Sequence, residues 1–122
     1  MKIFGIGTDI VNIKRIEKIL IKQKKIFINK IFTKKELNQL NLQSKSLPSS
    51  IAKKFAAKEA FAKAFGTGFG KDLSFKDIEI FNKKSGQPYI KTNKKKFSKF
   101  KYKLSLSDDY PWAIAFAIII KW

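Results

Sequence analysis

The chain of 122 residues contains no cysteine and no histidine. It therefore has no disulfide framework, no Cys/His zinc site, and no Ser-His-Asp or Cys-His nucleophile pair. Any catalysis must use carboxylates, lysines, hydroxyls, backbone amides or a metal ion held by oxygen atoms. The length predicts one domain over residues 1–122, and the 44% hydrophobic content predicts a folded core.

Acidic residues are also scarce, since Asp and Glu total 9 against 27 Lys and Arg, which gives a formal net charge of +18. Arg15 is the only arginine among many lysines, and Ile, Phe and Asn are abundant. A genome rich in A and T codons would produce this composition without selection for a polyanionic partner. The resulting positive field attracts nucleic acid, acidic protein or phosphate-bearing small molecules.

Long apolar segments are missing as well. The longest apolar run, at residues 112–120, is too short to cross a bilayer. Near the N-terminus, the charged Asp9 interrupts the sequence before the apolar core of a signal peptide could form. We expect a cytoplasmic protein without a membrane partner.

The spacing of apolar and turn-forming residues predicts the element order β-α-α-α-β-β-β-β. This order indicates an α+β fold in which three N-terminal and central helices pack on a mostly antiparallel sheet. The final predicted strand is apolar throughout, so we expect it to be covered on both faces or to lie in a subunit interface. Residues 93–100 could form a short basic helix or a loop. The predicted strands are residues 2–10, 75–81, 88–92, 101–107 and 112–120.

Each predicted helix has a boundary signal. Asn12 is placed to cap the first helix, and Thr33 with Glu36 has the spacing of a capping box at the start of the second. The third helix is predicted from about Ser50 to Phe65 and ends at Gly66.

The third helix has two faces of different character. Large apolar residues form one stripe that we expect to face the core, whereas alanines on the opposite side would let another backbone or a ligand approach closely. The stripe contains Ile51, Phe55, Phe61 and Phe65, and the alanine face contains Ala52, Ala56, Ala57, Ala60 and Ala64.

Charged residues on this helix allow two interpretations. Glu59 and Lys63, four residues apart, could be a solvated ion pair. Alternatively, Glu59 could hold a cation while Lys63 and the exposed amides of the Gly66–Gly68 turn hold phosphate. Lys54 and Lys58 lie inside the aromatic stripe, and we expect their ammonium groups to reach out to solvent.

Asp9 also allows two interpretations, because it follows a predicted strand that contains two glycines. It could be a turn or capping residue, or a carboxylate fixed at the strand end as a metal ligand. Together with Glu59 it would suit Mg²⁺, which takes one or two carboxylates along with waters and substrate phosphates. Composition and spacing do not establish that the two carboxylates meet in space.

Four stretches of the sequence, which together span nearly the whole chain, resemble the motifs of a single protein family. They are GIGTDIVNIKRIEK at 5–18, KKFAAKEAFAKAFGTGFG at 53–70, LSFKDIEIFNKKSGQPYI at 73–90 and SLSDDYPWAIAFAII at 105–119. Taken in order, they resemble the holo-[acyl-carrier-protein] synthase family.

The resemblance implies the 4′-phosphopantetheinyl transferase fold and activity. Such an enzyme moves the phosphopantetheine arm of coenzyme A to a serine of apo-acyl carrier protein in a Mg²⁺-dependent reaction. It releases adenosine 3′,5′-bisphosphate and supports fatty acid biosynthesis. The resemblance also implies a homotrimer with active sites between neighbouring subunits.

The matched positions imply roles for individual residues. Asp9 and Glu59 resemble the Mg²⁺ ligands, and Arg15 matches a basic position that docks the acidic carrier protein. The implied catalytic residues are Glu59, Lys63 and Asp108. The implied binding residues for coenzyme A are Lys54, Lys58, Lys63, Gly66, Thr67, Gly68, Pro88 and Ser107.

Asp108 departs from the pattern, because many family members have histidine there. An aspartate at this position would repel the 3′-phosphate of coenzyme A. The proton of the attacking serine could go to a metal-bound water or to a carboxylate, with Glu59, Asp108 and Asp109 as candidates.

Two other functions compete with the transferase. A small basic nucleic-acid-binding protein is supported by the net charge and by the lysines interleaved with Phe and Tyr at 94–102, but no helix-turn-helix or RNA-binding signature is present. A Mg²⁺-dependent hydrolase of nucleotide pyrophosphates is the weaker alternative. The resemblance favours coenzyme A and acyl carrier protein as partners and no nucleic acid.

Overall fold

The computed structural model describes residues 1–121, which form five strands, three α-helices and two short 3₁₀ turns. The strands are β1 (Lys2–Asn12), β2 (Ile78–Asn82), β3 (Pro88–Thr92), β4 (Phe100–Asp109) and β5 (Trp112–Lys121), and the helices are α1 (Ile13–Ile31), α2 (Lys34–Gln39) and α3 (Leu47–Phe65).

The strands form two antiparallel sheets. One has the order β1-β5-β4, and the other is the β2-β3 hairpin. Helix α3 lies across β1 and β5, α1 packs on α3, and α2 packs on β2. This arrangement confirms the predicted α+β fold with three helices on antiparallel sheet.

The predicted caps of the first two helices are confirmed. The side chain of Asn12 accepts a hydrogen bond from the backbone N–H of Lys14 at 3.0 Å. The Thr33 hydroxyl accepts from the backbone N–H of Glu36 at 3.2 Å, and the Glu36 carboxylate accepts from the Thr33 backbone at 3.0 Å. These contacts satisfy N–H groups that a helix start leaves without intrahelical partners.

Several predicted boundaries are wrong. Helix α3 begins at Leu47, because proline is well tolerated in a first turn and Pro48 does not delay the helix. The predicted strand at 75–81 begins only at Ile78, since Phe75–Asp77 is a 3₁₀ turn closed by a 2.8 Å hydrogen bond from the Ser74 amide to the Asp77 carboxylate. The segment at 93–100, for which a short helix or a loop was predicted, contains a second 3₁₀ turn at Lys95–Phe97.

The alanine face of α3 packs directly on β1, as predicted for close approach of another backbone. A Cβ atom at Gly5 would overlap the carbonyl oxygen of Ala64, and one at Gly7 would overlap that of Ala60. No larger residue fits at either position without moving the helix. The opposite side of α3 is also largely buried, so the helix is enclosed by protein on most of its circumference.

Strand β5 is covered on only one face in the described chain. Its alanines and Ile119 are buried under α3, whereas the alternate residues are exposed or half-buried. The neighbouring strand adds exposed Ile6 and Ile10, with Ile10 opposite Ile114, and its polar Thr8 lies opposite Phe116. We call this surface the open face; it consists of Ile6, Thr8, Ile10, Trp112, Ile114 and Phe116.

The described residues include no helix that combines the length and the apolar character needed to cross a membrane.

Candidate active site

Potentially functional side chains lie on two different sides of α3. Strands β1 and β4 are the outer strands of their sheet, and the cross-strand line Asp9–Ala115–Leu106 joins them through β5. With about 4.8 Å between adjacent strands, the two edges are about 10 Å apart, and α3 lies above the sheet between them. We call the first side the β1 edge and the second the β4 cleft.

The β1 edge holds Asp9, Glu59, Lys63 and Arg15. Asp9 lies within β1, inside the predicted strand at 2–10, and it pairs in the ladder with Ala115. It is therefore neither a turn residue nor a helix cap, and the prediction of those two roles is wrong. The rigid sheet fixes its carboxylate beside α3.

Lys63 is bonded to β1 and not to Glu59. Its ammonium lies 3.0 Å from Oδ1 of Asp9 and 3.0 Å from the carbonyl oxygen of Thr8. The predicted Glu59–Lys63 ion pair along the helix does not form within the described residues. Lys63 instead connects α3 to the strand that carries the first carboxylate.

The surroundings of Glu59 disfavour the ionised form of its carboxylate. Burial raises the pKa of the Glu59 carboxyl and the negative charge of Asp9 raises it further, whereas the positive charges of Lys63 and Arg15 partly offset the rise. The structure therefore brings Asp9 and Glu59 together, which spacing alone did not establish. It also places Arg15, exposed in the first turn of α1, within electrostatic reach of them.

The donor set at the β1 edge fits a hard divalent cation. Within residues 1–121, Glu59 accepts no hydrogen bond, and no cluster of three or more carboxylates occurs. Two repelling carboxylates, one of them without a donor, would be stabilised by a cation between them. Two carboxylates with water and phosphate oxygens are the usual ligand set of Mg²⁺.

The glycine-rich turn after α3 was expected to have free backbone amides, but the amides of its two glycines are hydrogen-bonded. Gly66 adopts a left-handed conformation, with φ of 90°, and its N–H bonds to the carbonyl oxygens of Ala62 and Lys63. The N–H of Gly68 also bonds to Ala62, at 3.2 Å. These two amides close the helix, so the prediction that they donate to phosphate is wrong. The Thr67 hydroxyl bonds to the Gly68 carbonyl oxygen at 3.2 Å.

The β4 cleft is a depression of about 270 Å³ between α3, β4 and the β2-β3 hairpin. Lys54 lies in it with only 6% of its surface exposed, and its ammonium donates to the Ile80 carbonyl oxygen at 3.2 Å and to Asn82 Oδ1 at 3.0 Å. Burial lowers the pKa of Lys54. The cleft is lined by Ser50, Lys53, Lys54, Asn82, Gly86, Pro88 and Leu106.

Lys58 is excluded from both sites. Its side chain is 0% exposed, and its ammonium donates to Glu36 and the Ile31 carbonyl oxygen at 2.7 Å and to the Phe75 carbonyl oxygen at 3.0 Å. All three N–H groups are used, which leaves none for a ligand. The prediction that Lys54 and Lys58 reach solvent is therefore wrong, and so is the prediction that Lys58 binds coenzyme A. Burial lowers the pKa of Lys58, and the charge of Glu36 opposes that shift.

The remaining predicted site residues lie in two different places. Pro88 lines the β4 cleft, and Asp108 lies beside it, 3.5 Å from the ammonium of Lys53. Ser107 points the other way, toward the open face, where it is opposite Ile114. Within one chain, Ser107 is therefore separate from the other predicted binding residues.

Two residues of this region were not predicted from the sequence. Lys53 was not singled out, although it directly precedes Lys54 and pairs with Asp108. Glu36 was recognised only as a capping residue, although it is also the buried counter-ion of Lys58. A glutamate with two roles gives no separate signal in a single sequence.

The proximity of the two carboxylates can be tested by titration. We expect Asp9→Asn to lower the pKa of Glu59, because it removes a nearby negative charge and frees Lys63. The measurement is a carbon-detected NMR titration of the Glu59 carboxyl. Asp77→Asn is the matched control, since Asp77 makes no contribution to that pKa. An unchanged Glu59 pKa in Asp9→Asn would contradict the proximity of the two groups.

Comparisons with known proteins show the family of this chain. The family model of the 4′-phosphopantetheinyl transferase superfamily matches residues 5–115. A holo-[acyl-carrier-protein] synthase of Orientia tsutsugamushi (strain Boryong) is 44% identical over 126 residues, covering 96% of this chain and 96% of the relative.

Solved structures agree as well. The holo-[acyl-carrier-protein] synthase of Neisseria meningitidis superposes with a TM-score of 0.88 at 36% identity, covering 98% of this chain and 100% of that one. The Bacillus anthracis enzyme, solved in complex with CoA (3′,5′-ADP), has a TM-score of 0.86 at 39% identity and covers 98% of each chain. The chain therefore belongs to the holo-[acyl-carrier-protein] synthase family of the 4′-phosphopantetheinyl transferase superfamily.

Proposed function

We propose that this protein transfers the 4′-phosphopantetheine group of coenzyme A to a serine of apo-acyl carrier protein. The observation that carries the proposal is the β1 edge, where Asp9, Glu59 and Lys63 meet on a chain 44% identical to a holo-[acyl-carrier-protein] synthase. The products are holo-carrier protein and adenosine 3′,5′-bisphosphate. The reaction supports fatty acid biosynthesis in the cytoplasm. Family membership favours this function over nucleic-acid binding and over pyrophosphate hydrolysis.

Asp9 and Glu59 would hold the Mg²⁺ ion. Both are carboxylates on rigid elements, Asp9 on β1 and Glu59 on α3. When bound, the ion supplies charge neutralisation for the pyrophosphate of coenzyme A. Its binding requires ionised carboxylates, so the raised pKa of Glu59 makes the loaded state sensitive to acid.

Lys63 has a role that needs no metal. Its half-exposed ammonium is held beside Asp9 by two oxygen acceptors, which leaves one N–H for a phosphate oxygen. A fixed cation stabilises the negative charge that develops on the leaving adenosine bisphosphate. Of the candidate bases, Glu59 is the carboxylate beside Lys63, whereas Asp108 and Asp109 are at the end of β4.

Neither the β1 edge nor the β4 cleft of a single chain contains all the residues of the proposed site. The β1 edge has the carboxylates, whereas the β4 cleft has Lys54 and Pro88, and α3 separates them. A second copy on the open face would bring the cleft of one chain to the β1 edge of the next. A homotrimer, as the family resemblance implies, repeats that contact three times with closed symmetry. The exposed apolar side chains of the open face support such a contact.

Arg15 is proposed to dock the carrier protein. It is exposed on α1 close to Glu59, so a carrier bound there would present its serine beside the carboxylates. The net charge of +18 favours association with an acidic partner. Arginine offers a planar fork of donors that suits carboxylates better than lysine does.

The transfer reaction is tested by mass spectrometry of apo-carrier protein incubated with coenzyme A, Mg²⁺ and this protein. We expect a phosphopantetheine mass gain that EDTA abolishes. Glu59→Gln should lower the rate by about 100-fold or more, since the electrostatic contribution of a metal site is several kcal/mol. Glu17→Gln, a matched change on α1, should retain the wild-type rate. Transfer that proceeds equally with EDTA would contradict the metal assignment.

The assembly is tested by a charge on the open face. We expect Phe116→Lys to give monomers and to abolish transfer, because a lysine would be buried at each apolar contact of the assembly. Light scattering coupled to size-exclusion chromatography measures the mass. Leu42→Lys is the control for added charge, because Leu42 is an exposed residue outside the open face. A Phe116→Lys protein that keeps the wild-type oligomeric mass would refute the proposed contact.

A further inference from the structure

An ion pair beside the β4 cleft has no role in the transfer mechanism described above. The Lys53 ammonium on α3 lies 3.5 Å from the Asp108 carboxylate on β4, and their side chains are 33% and 37% exposed. Pairs of this exposure contribute little to folding stability. Because the pair lies beside the cleft, its charges would act on a ligand bound there.

Lys53 and Lys54 are adjacent cations that both line the cleft. Lys54 is nearly buried, and two of its three N–H groups are used by Ile80 and Asn82. One N–H remains to bond a ligand oxygen. Lys54 therefore has one N–H available for an anion in the cleft, and the Lys53 ammonium lies beside Asp108 at the rim.

Asp108 is the only carboxylate paired with a residue that lines this cleft in the described chain. Alone, its negative charge would oppose a phosphate beside Lys54. With Lys53 in place, the three groups together keep one net positive charge. The expected repulsion by aspartate at this position is thus cancelled within the same chain.

We propose that Lys53 neutralises the charge of Asp108, so that the β4 cleft accepts a phosphate group of the coenzyme A nucleotide. This inference rests on the proposed function. Two phosphates share the required chemistry, the 3′-phosphate and the 5′-diphosphate. Lys53 acts here through Asp108 and not through a bond of its own to the phosphate.

Calorimetric binding of adenosine 3′,5′-bisphosphate to four proteins tests the proposal without any need for turnover. They are the wild type, Lys53→Gln, Asp108→Asn and the double variant. We expect Lys53→Gln to weaken binding about threefold to tenfold, as an unpaired, partly screened charge near a phosphate would. Asp108→Asn should bind at least as tightly as the wild type, and the double variant should return to within about twofold of it.

Matched controls separate local charge from global charge. Lys94 pairs with Asp77 at 3.1 Å and is also partly exposed, but it lies away from the cleft. Lys94→Gln removes the same charge and should change affinity by less than about twofold at physiological salt. Comparing 5′-ADP with the 3′,5′-bisphosphate identifies the phosphate. If the Lys53→Gln effect is absent with 5′-ADP, the cleft takes the 3′-phosphate; if it persists, the cleft takes the diphosphate.

Three outcomes would overturn the inference. Lys53→Gln could bind like the wild type, Asp108→Asn could bind more weakly, or the double variant could remain as weak as Lys53→Gln. The last result would mean that Lys53 contacts the nucleotide directly. Failure of the proposed function is distinct, because the wild-type protein would then bind no bisphosphate and transfer nothing from coenzyme A.

Discussion

The buried ammonium of Lys58 is the interaction on which the rest of the structure depends. It joins the end of α1 through Ile31, the start of α2 through Glu36, and the turn before β2 through Phe75. Glu36 extends the network by accepting the backbone N–H of Ile80 at 2.9 Å. Removal of one partner from such a pair costs about 3–5 kcal/mol, since it leaves a buried charge uncompensated. Lys58 thus holds one side of α3 while the functional residues occupy the others.

The opposite side of α3 packs closely on β1, because two residues of that strand are glycines without a side chain. At Gly5 and Gly7 the strand backbone contacts the helix at Ala64 and Ala60. This short distance brings Asp9 on the strand within reach of Lys63 on the helix. The same helix therefore carries a structural lysine on one face and the two candidate functional residues Glu59 and Lys63 on another, and neither face can rotate without the other.

Local rules predicted much of this fold, whereas long-range contacts escaped them. The helix caps at Asn12 and Thr33 depend on neighbouring residues, so their spacing is visible in the sequence. The Lys58–Glu36 pair joins residues 22 positions apart, and the Lys63–Asp9 pair joins residues 54 apart. No periodicity in the sequence indicates such partners. The residues of the β1 edge were predicted to act together from the family motifs, since their spacing did not show that they meet. The motif also misled at Lys58, because a recurring lysine can serve the fold as well as a ligand.

The central claim is that each active site is shared between the β1 edge of one chain and the β4 cleft of another. It is tested most directly by mixing Glu59→Gln subunits with Lys54→Gln subunits and measuring phosphopantetheine transfer. Each variant alone should be nearly inactive. Random mixed assemblies should recover about a quarter of the wild-type activity, because a quarter of the contacts then join two intact halves. Activity that stays at the level of the separate variants would mean that a single chain holds the whole site.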